Sequence, residues 1–381
     1  MTNLVIDGWY LQAGGFGLAE FAARCVDLIL SRNETMPVRI QVAMPGWYRE
    51  TGRVFRHIPH AVFLRSIHSG HDLIDRIAWQ NRLGLWCKER EDCSILFSPA
   101  QFWSLAAPRR TVVVYHDCIY RHFPESLGTF MIRKWSTFRA ERFLHTCTAV
   151  ITESEFSRKD IAHYAGIRPD RVVVIPAWLP TQYSRDNAAA AAAEVRSRYA
   201  LPDRFWLYVG GYDRRKNVEF LLEAYATAMM KSKCPSLVLA GSLPGVPSPL
   251  YCDVLGTLHK LNLAPPQICL PGFIAAQDMP GLFGAAELLV YPSLCEGYGL
   301  PPFEAMGCGC PAVVADNSSL VEVVRDRDYR FTTDKPAGLS AILQRAACRP
   351  LPLNPSFTPG EHSDTVAADA YSSLITRICA Q

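Results

Sequence analysis

Residues 291–307 read Tyr291-Pro-Ser-Leu-Cys-Glu296-Gly-Tyr-Gly-Leu-Pro-Pro-Phe-Glu304-Ala-Met-Gly307. Leu288, Leu289 and Val290, just before them, end a buried apolar run of strand type. Pro301 and Pro302 fall where the first turn of a helix tolerates proline, because the amides of that turn have no helical partner. The stretch is therefore a strand, a glycine-bearing loop and a helix, with Glu296 in the loop and Glu304 near the helix start. Free amides and the positive end of the helix dipole face such a loop, which suits an anionic or polyhydroxylic ligand. Carboxylates held there accept hydrogen bonds from hydroxyls of the kind a sugar or a ribose carries. A capping Glu304 and a solvated Glu296 would explain the pattern as well, so the surrounding chain has to decide.

Outward from this stretch, the second half of the chain repeats one unit. Phe205–Val209 is a strand, Gly210–Asn217 a loop and Val218–Met230 a helix. The strand Ser236–Gly241, a proline-rich loop from Pro244 to Pro249, a helix to Leu261 and the strand and turn Ile268–Phe273 follow, then a helix from Asp278 to Ala286. Beyond the quoted stretch comes the strand Pro311–Asp316. The first half shows the same alternation. Leu4-Val-Ile6 leads into Ala13-Gly14-Gly15-Phe16-Gly17 and then a helix whose Leu18, Phe21, Ala22, Cys25, Val26 and Ile29 recur at helical spacing. Strands follow at Val38–Met44, Ala61–Leu64, Ser94–Ser98, Thr111–Asp117, Ala149–Ser154 and Arg171–Pro176. The β-branched Thr111-Val-Val-Val marks a strand buried on both faces. It places His116 and Asp117 at a C-terminal strand end, where open α/β sheets hold their ligands. Strand character is lost between Ala177 and Asn187. The expected architecture is α/β, with two Rossmann-like doubly wound domains facing a central cleft, residues 1–182 and 183–360, and a closing helix in 361–381. The six alanines Ala188–Ala193 read as a surface helix, given alanine's propensity.

A chain of 381 residues, 49% hydrophobic and 20% charged, has an ordinary globular composition with room for two domains. Its net charge of +3 is too small to argue for nucleic acid. Residues 1–180 are mildly basic, with 22 Lys and Arg against 17 Asp and Glu, which fits an anionic substrate or membrane surface and equally a solvated face. The thirteen cysteines form no C-x-x-C pair and are expected as free, mostly buried thiols in a reducing, cytoplasmic setting. Met1–Asp7 leads into a strand rather than a secretory signal, and no apolar run reaches the ~20 residues a membrane helix needs.

Gly210-Gly211-Tyr-Asp-Arg214-Arg215-Lys216-Asn217 is the second informative stretch. Two glycines after a strand allow close backbone approach. A guanidinium fork and an ammonium beside them meet the charge that builds on a departing diphosphate. A solvated basic turn is the plainer account. Cations are, however, unfavourable at a helix N-terminus, and a bound anion between them would remove that conflict. Arg214 and Arg215 compete for that role.

Taken together, Gly210–Asn217 and Glu296-x7-Glu304 resemble the motifs of the retaining glycosyltransferases of family 4, which have the GT-B fold. The N-terminal glycine loop, the strand ending in His116-Asp117 and Thr152-Glu-Ser-Glu-Phe-Ser157 resemble the same family, so the likeness covers most of the chain. The resemblance implies a nucleotide-sugar donor. Arg215 and Lys216 would hold its diphosphate with Gly210, Gly211 and Asn217 around it, Glu304 its ribose and Glu296 the transferred sugar. Backbone from Gly297 through Tyr298 and Gly299 to Leu300 would meet sugar and phosphates, Gly272-Phe273 the base, and Gly14 and Gly15 the phosphates and acceptor. His116 would sit against the sugar; the alternative is a core histidine satisfied by Asp117. Many relatives carry an arginine where this chain has Gly211. The Arg-Lys-Asn version goes with mannosyl transfer in the family, which favours GDP-mannose over a UDP-sugar. No metal or other cofactor is implied.

Net retention usually invites a carboxylate nucleophile, but no residue of the first domain identifies itself as one, so front-face transfer is the expected mechanism. The expected acceptor is a glycan or a polyprenyl-diphosphate-linked oligosaccharide at the cytoplasmic face. Arg133, Lys134, Arg139 and Arg142 are candidates for peripheral contact with anionic lipid. The alternatives are a UDP-sugar donor, a non-catalytic nucleotide-sugar-binding protein, and an epimerase or phosphorylase on the same fold. Asp326-Arg-Asp328, His68-x-x-His71 and His57-x-x-His60 lack the context or further ligands of a metal site, and Cys308-x-Cys310 reads as packing.

Overall fold

The computed structural model describes residues 2–11, 17–47, 61–90, 93–106, 108, 110–127, 131–245 and 248–380; Gly14, Gly15, His57 and His60 lie outside them. The chain begins β1 (Thr2–Asp7), α1 (Leu18–Ser31), β2 (Val38–Pro45), β3 (Ala61–Leu64), α2 (Asp72–Glu89), β4 (Cys93–Ser98) and β5 (Thr111–Val114). A short α3 (Ile119–His122), α4 (Met131–Leu144), β6 (Ala149–Thr152), α5 (Glu155–Ala165) and β7 (Val172–Val174) follow. Next come α6 (Arg185–Arg198), β8 (Phe205–Val209), α7 (Val218–Met229), β9 (Ser236–Ala240), α8 (Val254–Lys260), β10 (Ile268–Gly272) and α9 (Met279–Ala285). The chain closes with β11 (Leu288–Tyr291), α10 (Leu300–Gly307), β12 (Ala312–Ala315), α11 (Leu320–Val323), β13 (Arg330–Phe331), α12 (Pro336–Cys348) and α13 (Asp364–Cys379).

These elements form two compact units. One is built from residues 1–118, 127–176 and 364–381, the other from 119–126 and 177–363. Helix α13 therefore belongs with the first sheet, where it packs on α1 and Arg32 Nε donates to Asp369 at 2.9 Å. The first sheet has the order β3-β2-β1-β4-β5-β6-β7 and the second β10-β9-β8-β11-β12-β13. Every pairing between their strands is parallel. Their Val-, Ile- and Leu-rich central strands β5, β6, β11 and β12 are buried at every position, as strands covered on both faces must be. Strand order reverses between β1 and β4 and between β8 and β11. In open parallel sheets, that reversal opens a crevice at the C-terminal strand ends. The loops after β8 and β11 are the two charged motifs.

The alanine-rich helix α6 is not merely a surface element. Ala188 and Val195 are buried, and α6 lies closely against α9. A Cβ added at Gly284 would come 2.5 Å from the Ala188 carbonyl oxygen, and one at Gly281 would come 2.6 Å from Val195. Glycine on one helix and alanine on the other let the two backbones approach, so part of the alanine run supplies close packing as well as helix propensity. Twelve of the thirteen cysteines, all but Cys93, stand outside any disulfide, and no helix among the described residues is long and apolar enough to cross a membrane.

Candidate functional site

After β8 the chain turns at Gly210, makes one 3₁₀ turn over Arg214–Lys216 and enters α7 through Asn217. Asn217 has φ 55°, the left-handed conformation that asparagine tolerates better than most residues. The turn is held from beneath. Gly210 N donates to Ala240 O at 3.0 Å, the Tyr208 hydroxyl donates to Gly211 O, and Tyr208 stacks on Tyr291 with centroids 6.3 Å apart. Gly241 is required beside it. Its φ is +155°, and a Cβ there would lie 2.1 Å from the Gly210 carbonyl oxygen. The sequence reading passed over Gly241, although a glycine ending a neighbouring strand was visible there.

The two motifs meet on one oxygen. Lys216 Nζ donates to Glu296 Oε1 at 2.7 Å and to the Tyr291 hydroxyl at 2.6 Å. Arg215 Nη1 lies 2.7 Å from the same Oε1 and donates to Cys295 O at 2.6 Å. The Tyr291 hydroxyl completes the set, donating to Oε1 at 3.1 Å. The side chains of Arg215, Lys216 and Glu296 are only 17%, 12% and 11% exposed, so solvent screens these charges weakly. Burial opposes ionisation of Glu296, but the Lys216 and Arg215 charges outweigh it and hold its pKa below the ordinary 4.5. Burial, reinforced by the Glu296 charge, pushes the Tyr291 phenol well above 10.0. Glu296 is thus a carboxylate at neutral pH, and two cations share it. Asp213 Oδ1, 3.4 Å from Arg215 Nε, offsets part of the surplus positive charge. Of the two competing arginines, Arg215 is in the cluster. Arg214 is exposed and its Nε donates to Pro249 O. A cavity of about 280 Å³ lies beside these residues, lined by Asp213, Arg214, Arg215, Ile119, Phe123 and Tyr251 among others.

The loop carrying Glu296 is clamped from the chain that follows β12. Ser319 Oγ donates to Glu296 O and Tyr298 O, each at 2.8 Å, and Ser318 Oγ accepts from Glu296 N at 3.1 Å. Asn317 Nδ2 donates to Ser293 O at 3.2 Å. The loop is also tied to the turn after β8, since Leu294 N donates to Arg215 O at 2.8 Å. Gly299, φ 103°, caps α10. Pro301 and Pro302 carry no N–H, so Leu300 alone supplies an amide in the first turn, fewer donors than the loop reading expected. Glu304 lies in the second turn of α10 rather than at its start. It is half-buried, and its charge adds to the burial that pushes the Cys308 thiol up to about 12. Gly272, φ +78°, ends β10, and Phe273 presents a 56% exposed ring.

His116 is partnered, though not by Asp117. Its Nδ1 lies 2.6 Å from Glu153 Oε1, and Thr152 Oγ1 donates to the His116 carbonyl at 2.9 Å. The parallel register explains this. Val112 pairs with Ala149 and Val114 with Ile151, so extending the ladder sets position 116 opposite 153, whereas Asp117 is out of step. Phe21 meets the imidazole edge-on at 4.7 Å, and Nε2 is buried without a hydrogen-bond partner. Burial works against the imidazolium, but Glu153, with a smaller contribution from Asp117, raises the pKa above 6.5. The pair therefore contributes stability that is full below the unfolded-state value and is lost as pH rises through the raised one. NMR titration of the ring should give a value above 6.5 that drops in Glu153→Gln; an unshifted ring in both proteins would refute the pairing.

Elsewhere, Asp326 Oδ2 accepts from Ser356 Oγ at 2.7 Å and His68 Nδ1 lies 3.2 Å from Asp75. Cys308 and Cys310 are buried in the core of the second unit. Among the described residues, no three His, Cys, Asp or Glu side chains gather as a metal site would require.

Two family models match the chain in succession. The one described as Glycosyltransferase Family 4 covers residues 23–183, and the one described as Glycosyl transferases group 1 covers residues 194–346. The serotype-specific mannosyltransferase WbdA of Escherichia coli is 30% identical over 243 residues, 63% of this chain and 29% of that protein. The O-antigen chain mannosyltransferase B of the same species is 31% identical over 218 residues, 57% of this chain and 56% of that one. The chain therefore spans less than a third of the first relative and just over half of the second. Among solved structures, sucrose-phosphate synthase from Thermosynechococcus elongatus superposes with a TM-score of 0.71 at 17% identity, covering 100% of both chains. Anabaena HepE in complex with UDP and glucose superposes with a TM-score of 0.64 at 18% identity, covering 100% of this chain and 97% of that one. At these identities the likeness carries the fold.

Proposed function

This chain belongs to the family 4 glycosyltransferases and has their GT-B fold, and from that premise we propose that it moves mannose from GDP-mannose, with retention, onto a glycan or lipid-linked oligosaccharide acceptor in cell-surface glycan synthesis. The observation that carries the proposal is the meeting of Arg215, Lys216 and Glu296 on one oxygen at the reversal point of the second sheet. Nucleotide-sugar chemistry needs cations for a diphosphate and an ionised carboxylate for sugar hydroxyls, and this cluster holds both in one place. The mannosyltransferase relatives support mannose as the sugar, and GDP-mannose is its activated form.

In this reading Arg215 and Lys216 take up the negative charge that grows on the departing diphosphate. Glu296, kept ionised by the same two cations, accepts from hydroxyls of the transferred sugar, and Glu304 from the ribose. The departing phosphate oxygen takes the acceptor hydroxyl's proton as the new glycosidic bond forms on the face it vacates. The family resemblance assigns His116 to the sugar, and Glu153 fixes its Nδ1. The two side-chain cations supply the positive charge a divalent ion would otherwise bring, so no metal is required. The reaction is placed on the cytoplasmic side, where nucleotide sugars are available.

Calorimetric titration with GDP, UDP and ADP, then with the matching nucleotide sugars, tests the proposal. GDP should bind tightest, and Lys216→Ala and Glu304→Ala should each weaken it by about tenfold or more, as loss of a charge-assisted hydrogen bond does. A preference for UDP would replace the donor, and binding of none of the three would overturn the reading.

A further inference from the structure

Two cavities adjoin within the second unit. The one of about 280 Å³ beside Arg215 is walled by Phe123, Glu125 and Asp213, and another of about 560 Å³ by Leu243, Ser248, Pro249, Asp253 and Leu255 among others. Arg214 and Tyr251 line both, so this pair stands at their junction. The junction is fixed to the cation turn. Asp213 and Tyr251 form an antiparallel bridge, in which Arg214 N donates to Leu250 O at 3.0 Å and Cys252 N to Tyr212 O at 2.8 Å. Arg214 Nε donates to Pro249 O, and Asp253 N donates to Glu219 Oε1 at 2.7 Å. Whatever the cavities hold is thereby kept in register with Arg215 and Lys216, which share the 3₁₀ turn with Arg214. The Tyr251 ring is 40% exposed and presents a face to the ligand space rather than to the core.

The lining selects the ligand. In the smaller cavity Arg214 and Arg215 stand against Asp213 and Glu125, and in the larger one Arg214 stands against Asp253. A lining in which acid and base balance gives no net attraction to a phosphate or a charged lipid. It sets donors beside acceptors instead, and a hydroxyl uses both. A sugar ring also has an apolar C–H face, for which the rings of Phe123 and Tyr251 supply flat apolar surfaces. The larger cavity lies within the range of roughly 300–1,000 Å³ usual for small-molecule sites, and the smaller one close to its lower end, so each has room for a ligand residue of its own. We infer that the two cavities are successive subsites for a neutral oligosaccharide, holding the part of the acceptor glycan behind the residue that receives the sugar, with Arg214 and Tyr251 gripping the linkage between them. The inference rests on the reading of the acceptor as a glycan. Joined subsites make each further residue bind intramolecularly, so affinity rises with chain length even where each subsite is weak. Such a site favours elongation of an existing glycan over its initiation.

Calorimetric titration of the full chain with α-linked mannobiose, mannotriose and mannotetraose, with and without saturating GDP, tests it. Affinity should rise about tenfold or more from the shortest to the longest. Tyr251→Ala should remove most of that gain, whereas Tyr251→Phe should keep it, because the stacking face remains. Arg214→Ala should lower affinity for the two longer probes about fivefold. Leu255→Trp, at a position 59% exposed, should fill the larger cavity, abolishing the gain beyond mannobiose while leaving mannobiose itself bound as before. Binding of GDP without binding of any oligosaccharide would overturn the subsites and spare the donor reading. Length-dependent oligosaccharide binding without GDP binding would do the reverse. Affinity flat with length, or a gain that survives both Tyr251→Ala and Leu255→Trp, would also overturn the inference.

Discussion

Lys216→Ala is expected to lower kcat for sugar transfer by about 100- to 1,000-fold, the range seen when one donor to a developing oxyanion is removed. Lys216 Nζ is fixed by Tyr291 at 2.6 Å and Glu296 at 2.7 Å, so little reorganisation is needed as charge grows beside it. Diphosphate charge peaks in the transition state. The loss should therefore fall more on kcat than on KM, which steady-state measurements with varied donor resolve. Lys216→Arg should recover little, because a planar fork cannot place a point charge between a phenol and a carboxylate at that spacing. A variant that raised KM alone would assign Lys216 to ground-state binding and refute the transition-state role.

Glu296→Gln is expected to lower the thermal midpoint by about 5–10 °C, since removing one member of a buried pair costs about 3 kcal/mol. The cause is the repulsion left between Arg215 and Lys216, which converge on one Glu296 oxygen. The same repulsion makes the variant a better host for a bare nucleoside diphosphate, whose phosphates replace the missing charge. GDP should therefore raise the midpoint of Glu296→Gln more than that of the parent chain, while transfer falls for want of a partner to the sugar hydroxyls. Because the pKa of Glu296 is held below 4.5, its contribution is present above that value and fades as pH falls through the lowered one. The midpoint difference between the two proteins should narrow in acid. An unchanged midpoint at neutral pH, or an equal GDP shift in both, would disprove this account of the cluster.

Local signals in the sequence carried the strand–helix alternation, because buried parallel strands are continuous Val, Ile and Leu runs and the loops hold the glycines and prolines. Lys216 and Glu296 stood out for the same reason, as a cation and a carboxylate in glycine loops, whereas Arg214 and Arg215 were competitors that local sequence could not separate. The meeting of Arg215, Lys216 and Glu296 was not legible, because it depends on β8 and β11 being neighbours, a fact of strand order that local sequence does not encode. Tyr291 was hidden by ending an apolar strand, where tyrosine passes for core, and Ser318 and Ser319 by resembling any polar turn. Glu153 shows the limit most clearly. Asp117 adjoins His116 in sequence, but the ladder between β5 and β6 puts Glu153 opposite it.

The contact of α6 with α9 has a consequence for the length of the alanine run. Ser184 Oγ caps one end of α6, and Asp278, at the start of α9, holds Arg198 at 2.6 Å and the Tyr199 hydroxyl at 2.7 Å at the other. One alanine gained or lost by replication slippage would turn everything beyond it by about 100° and shift it about 1.5 Å along the axis. Val195 and Arg198 would then leave their partners, or Ala188 would leave Gly284. The six-alanine run thus acts as a ruler: substitution among small side chains is tolerated at its exposed positions, whereas a change in their number is not.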